Sequence, residues 1–219
     1  MNLIIRADAH YQIGFGHVMR CLALAQAWQE RGGQVTFISH KLLPDVLRQR
    51  LASEQVNLLL INELAGSPDD AQQLIALARE IQARVIIVDG YQFDTVYQRY
   101  IKDAGFPLLV LDDYSHTDLY LADWVLNQNP HATKSLYPYH GDATQLLLGT
   151  RYALLRREFW RWRGRRYERP YAGRNILVTL GGTDPQNLTT VVIEKLESIS
   201  QHDLSVVIVV SAANPNLEV

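Results

Sequence analysis

Apolar positions along this chain fall into two rhythms. Short continuous runs predict strands: LIIRA at 3–7, QVTFIS at 34–39, VNLLLI at 56–61, ARVIIVDGY at 83–91, PLLVLDDY at 107–114 and DWVLNQNP at 123–130. Between them apolar residues recur at helical spacing. Residues 18–32 carry Val18, Cys21, Leu22, Ala25 and Trp28 on one face and stop at Gly32 and Gly33. Residues 44–55, 68–83 and 95–105 predict three more helices. The second of these has Asp69 and Asp70 in its first turn, where the helix dipole favours negative charge. Strands that are apolar throughout, rather than alternating, fit a parallel sheet covered on both faces. Residues 1–130 therefore predict one α/β domain.

The rhythm breaks over 131–174, which reads as a crossing segment between domains. It contains RREFWRWRGRRYERPYAGR, rich in arginine and aromatics. The pattern restarts with a strand at 175–180, a glycine loop GGTDPQN at 181–187, a helix at 188–199 and a strand at 204–210. Two strands are few for a second α/β domain, so 175–219 is expected to be the start of a truncated one. Length and composition, 219 residues and 47% hydrophobic, suffice for a sizeable core. A net charge of -2 does not point to nucleic acid. The arginine and aromatic segment 156–174, with Phe159, Trp160, Trp162 and Tyr167, has the composition of a single-strand-binding surface. An interdomain helix with packed aromatics and solvated arginines is the favoured reading. One cysteine, Cys21, excludes an intrachain disulfide and reads as a core residue. No apolar run approaches the roughly 20 residues of a membrane span, and the N-terminus lacks signal-peptide character. A cytoplasmic protein with no membrane partner is the default expectation.

Candidate chemistry gathers at strand ends, where open α/β sheets bind ligands. The loop YQIGFGH follows the first strand and opens the first helix. Gly14 and Gly16 allow close backbone approach to a ligand, and the helix offers free N–H groups. A dinucleotide fingerprint needs a third glycine where Met19 stands, and an acidic residue where the second strand closes in Ser39–His40. A nicotinamide or flavin site is therefore disfavoured, and no phosphate-binding GKS or GKT occurs. His17 follows the loop, with Asp8 and Arg20 near in sequence to orient or tune it. The positive end of a helix dipole favours the neutral imidazole that a general base requires. Asp89 and Tyr91 close the fourth strand on the same side. Asp112 and Asp113 are adjacent and point to opposite faces, a poor metal chelate. Asn127 and Asn129 are candidate sugar contacts, although asparagine before proline is also ordinary turn chemistry. Asp184 with Pro185 reads as a helix start in its own right.

These residues carry a resemblance. RADAHYQIGFGHVMRCLALA resembles the N-terminal signature of the UDP-sugar hydrolases of pseudaminic acid biosynthesis and of related spore-coat polysaccharide proteins. VDGY at 88–91, LDDY at 111–114, NQNP at 127–130, LLGTRYALLRREF at 147–159, LVTLGGTDPQN at 177–187 and SAANPN at 211–216 follow in the same order. The resemblance implies a GT-B-like architecture, MurG-type, with two Rossmann-like domains. It implies hydrolysis of a UDP-linked 2,4-diacetamido-2,4,6-trideoxy hexose, with His17 as the catalytic base, assisted by Asp8. Arg6, Gly14, Gly16, Arg20, Tyr91, Asn127, Asn129, Gly181, Gly182, Asp184 and Asn214 are the expected substrate contacts. No metal and no cofactor are expected. A glycosyltransferase of the same architecture is the nearest alternative, and a non-catalytic remnant another.

Overall fold

The computed structural model describes the chain apart from residues 11–12, 167–172, 182–183, 200–203, 212–213 and 218–219. It divides into two compact units. One comprises Met1–Ala9 with Gly16–Arg161, the other His10–Phe15 with Trp162–Val219.

The first unit is built on seven strands: β1 (Asn2–Ala7), β2 (Gln34–His40), β3 (Asn57–Ile61), β4 (Ala83–Asp89), β5 (Leu108–Leu111), β6 (Trp124–Asn127) and β7 (Gln145–Leu148). Every neighbouring pair is parallel, in the order β3-β2-β1-β4-β5-β6-β7. Helices α1 (Gly16–Gln29), α2 (Asp45–Ser53), α3 (Pro68–Glu80) and α4 (Thr95–Asp103) join the strands. Ile4, Ile86, Val88, Leu108 and Val110 are buried against Leu74 and Ala78 of α3 and Tyr97 and Ile101 of α4. The alternate residues Leu3, Ile5 and Phe37 are buried too, so both faces are covered, as continuous apolar strands require. Helix starts follow local chemistry. Ser67 accepts a hydrogen bond from the Asp70 N–H at 3.2 Å with Pro68 in the first turn, and Asp94 accepts from the Tyr97 N–H at 2.9 Å.

One strand lies where a crossing segment was expected. β7 sits within 131–174 and pairs with β6 from Trp124↔Gln145 to Asn127↔Leu148. Its four residues, QLLL, form a half-buried edge strand, too short for the apolar pattern to declare itself. The arginine-rich stretch yields only a four-residue helix, α5 (Arg157–Trp160), rather than a long one. Arg156 pairs with Glu158 at 2.8 Å and stacks over Phe159, and Arg157 lies near Glu30 and Glu54. Tyr167 lies outside the described residues.

Loop packing matters near the carboxyl edge of this sheet. Gly66, after β3, has φ +82, and a β-carbon there would overlap the Gln92 carbonyl oxygen. The loop after β3 thus lies directly against the loop after β4.

The second unit contains a parallel pair, β8 (Asn175–Thr179) and β9 (Ser205–Val209), and helix α6 (Leu188–Glu197). Among the described residues, no helix of the chain is long and apolar enough to cross a membrane.

Candidate active site

Strand order reverses between β1 and β4. The first connection from β1 runs toward β2 and β3, and later strands add on the other side of β1. In open α/β sheets the carboxyl ends of the strands at such a switch point are where ligands bind. α1 leaves the β1 side of it, and the loops after β4, β5 and β6 flank it.

His17 is the second residue of α1, and Arg20 lies one turn later on the same helix face. Both reach Asp89, the last residue of β4. His17 Nδ1 lies 2.6 Å from Asp89 Oδ1. Arg20 clamps the same carboxylate with two hydrogen bonds, Nε to Oδ2 and Nη2 to Oδ1, each 2.6 Å. The Cys21 thiol adds a long contact to Oδ2 at 3.4 Å. Asp89 is buried, which opposes its ionisation, but the Arg20 and His17 bonds outweigh burial and hold it below the usual carboxylate range. An ionised carboxylate accepts, so the ring proton of neutral His17 resides on Nδ1 and the lone pair on Nε2. Nε2 has no hydrogen-bond partner among the described residues.

A second carboxylate completes the cluster. Asp113, just after β5, accepts from Arg20 Nη1 at 2.7 Å, from Asn129 Nδ2 at 2.8 Å and from the Tyr91 hydroxyl at 3.2 Å. The Tyr91 ring meets the His17 ring edge-on, with centroids 5.2 Å apart, and packs on Tyr114 at 5.0 Å. Tyr91 is 42% exposed. Partial burial, Tyr114 and the Asp113 charge push its phenol well above the ordinary range, so it stays a donor.

Several expected contacts are occupied otherwise. Asp8 does not orient His17. Its Oδ1 accepts from Arg6 Nη1 at 2.5 Å, Ser39 Oγ at 3.1 Å and the His40 N–H at 2.7 Å, so it ties β1 to β2. Arg6 is fully buried, bound to Asp8 and to Asp70 of α3 at 2.9 Å, which removes it from the surface a substrate meets. Arg20 spends its donors on two carboxylates. Asn127 is buried, with Nδ2 donating to the Asp113 carbonyl and the Tyr137 hydroxyl and Oδ1 accepting the Asn129 N–H. Both asparagines thus fasten Asp113 rather than present free amides. Asp112 and Asp113 diverge as expected. Asp112 is buried among His116, Tyr120, Tyr137 and the Ser115 N–H.

Gly16 opens α1 and Gly14, with φ +79, closes a tight turn back to the His10 carbonyl at 2.9 Å. In the second unit, Asp184 accepts the Leu188 and Thr189 N–H groups, each at 2.9 Å, and the Thr189 hydroxyl at 2.6 Å. Two of the N–H groups that open α6 therefore already hold a carboxylate, as the helix-start reading of Asp184 anticipates. Asn214 is buried and accepts the Asn216 N–H at 2.8 Å. Gly181 precedes this turn, and Gly182 lies outside the described residues.

The reading of the residues placed Asp89 on the pocket side without a role and weighed Asp113 only as a metal ligand, so it missed both as partners of His17 and Arg20. Their signal was present: an acidic residue closes each of two neighbouring apolar strands. A cavity of about 890 Å³ lies elsewhere, at the amino-terminal strand edge, lined by Asn2, Gln34, Asn57, Glu54 and Arg157 among others. None of the residues of the His17 cluster lines it. Among the described residues no group of three or more metal-ligating side chains is suited to an ion.

No protein-family profile matches the chain. It is 27% identical over its full length to the UDP-2,4-diacetamido-2,4,6-trideoxy-beta-L-altropyranose hydrolase of Campylobacter jejuni, spanning 72% of that protein. It is 25% identical over 90% of its length to an uncharacterized protein of Methanocaldococcus jannaschii, spanning 40% of it. Among solved structures, MurG of Acinetobacter baumannii superposes with a TM-score of 0.54 at 14% identity, covering 95% of this chain and 67% of MurG. A glycosyltransferase of Rickettsia africae gives 0.57 at 12% identity, covering 96% and 68%. The fold is that of the GT-B glycosyltransferases, and the chain is related to the Campylobacter hydrolase along its whole length.

Proposed function

We propose that this chain acts in hydrolysis of a UDP-linked 2,4-diacetamido-2,4,6-trideoxy hexose, releasing UDP and the free sugar. The observation that carries this reading is the His17–Asp89 pair at 2.6 Å at the switch point of the sheet. Similarity to the Campylobacter hydrolase supports the substrate class.

His17 Nε2 takes a proton from water as its oxygen attacks the anomeric carbon. The carbon–oxygen bond to the diphosphate breaks, and UDP leaves with the bonding electrons. The diphosphate is already a stable anion, so a second carboxylic acid for the leaving group, usual in glycosidases, is dispensable. Asp89 holds the ring in the Nδ1–H tautomer and stabilises the imidazolium formed. Arg20 keeps Asp89 ionised, so the carboxylate orients without taking the proton. Tyr91 walls one side of the ring.

The test is UDP release from that UDP-sugar without any acceptor and with a chelator present. Wild-type release that falls by about a thousandfold in His17→Ala supports the reading. Release that requires an added acceptor sugar turns it to glycosyl transfer.

A further inference from the structure

The His17 cluster closes on itself. From His17 the contacts run to Asp89, to Arg20, to Asp113, to the Tyr91 hydroxyl, and from the Tyr91 ring back to the His17 ring. We propose that Asp113, which does not touch His17, is the positioning residue of this circuit. It sets the His17 ring through Arg20 and Tyr91.

Three observations carry this. First, His17 Nδ1 and Arg20 Nη2 compete for one oxygen. Both lie 2.6 Å from Asp89 Oδ1 and 3.3 Å from each other. Asp113 draws on the other end of the guanidinium through Nη1. It takes a share of the Arg20 charge and leaves Asp89 a stronger acceptor for His17. Second, Tyr91 stands on an exposed loop with its ring packed on Tyr114, and its hydroxyl donates a hydrogen bond to Asp113 at 3.2 Å. That bond holds the ring against His17. Third, Asp113 is itself fastened. Asn129 donates to its side chain, and Asn127 and His131 approach its carbonyl at 2.7 and 3.2 Å. Residues after β6 thereby fix the position of a ring on α1. Engaged on both oxygens, Asp113 is not a free ligand for substrate.

The rate arm of the test rests on the hydrolysis reading, whereas the spectroscopic arm does not. The full chain, labelled with nitrogen-15, is compared with Asp113→Ala and Asp113→Glu by proton–nitrogen correlation spectra of the histidine rings. His17→Gln assigns the His17 signals, and urea melts confirm that each variant is folded. In the wild type His17 gives a protected, downfield Nδ1 proton. In Asp113→Ala that proton moves upfield and exchanges faster, and Asp113→Glu, which keeps the charge, recovers part of the change. In UDP release, kcat falls about 10- to 100-fold in Asp113→Ala with KM nearly unchanged, the mark of a misplaced base rather than lost binding. A folded Asp113→Ala with an unaltered His17 Nδ1 proton overturns the proposal. Absence of UDP release by the wild type counts against hydrolysis, while the ring spectrum still decides the role of Asp113.

Discussion

The first unit contains two histidine–aspartate pairs of nearly the same length. His17 meets Asp89 at 2.6 Å and His116 meets Asp112 at 2.7 Å. In each, the carboxylate follows or ends an apolar strand, and in each it is held below its ordinary range. Their surroundings separate them. Asp112 is ringed by two tyrosine hydroxyls and a backbone N–H, and the second nitrogen of His116 faces the Phe93 carbonyl at 3.4 Å. The His116 side chain is 3% exposed. Asp89 is met instead by a charged guanidinium, and His17 keeps a second nitrogen without a described partner. A short histidine–carboxylate contact is thus not a sign of catalysis in itself. Access to the far nitrogen and the charge behind the carboxylate make the difference.

The largest expected effect breaks that comparison at its catalytic side. Asp89→Asn leaves the shape but frees the wrong tautomer, so UDP release by the hydrolysis assay falls by about 10²–10⁴ in kcat. His116→Gln, measured alongside, leaves kcat within about threefold, because no step of the chemistry is assigned to it. Next comes stability. Asp112→Ala strands two buried tyrosine hydroxyls and the His116 ring, and urea unfolding should show a loss of about 3 kcal/mol. The smallest effect is a slope. Both carboxylates titrate lower in the folded chain than in the unfolded one. They therefore contribute stability fully present above the unfolded carboxylate value near 4, and lost as pH falls through the folded values. Unfolding free energy should decline below about pH 4, and Asp112→Asn should decline less steeply; an unchanged slope would remove Asp112 from this account.

Much of the scaffold was legible because burial on both faces leaves a strong mark. The strands from 3 to 127 announce themselves as uninterrupted apolar runs. His17 was legible because a glycine turn, a helix start and a strand end coincide there. Its partner was not, because Asp8 lies nine residues away in sequence while Asp89 lies 72 away, and only the strand order brings β4 beside β1. Polar side chains near the site were read as reaching outward. Arg6 and Asn127 instead satisfy buried groups, a demand that residue type alone does not display. β7 escaped because an edge strand of four residues needs little apolar character.

Gly66 has a consequence for heredity and for engineering. It touches no residue of the His17 cluster, yet its bare backbone lets the Tyr91 loop lie down. The two loops can therefore be inherited or grafted only as a pair. A library that diversifies residues 92–94 beside a fixed Tyr91 while admitting alanine at 66 would fill with clones whose loop backbone is pushed away at position 92, whatever was chosen in the loop itself.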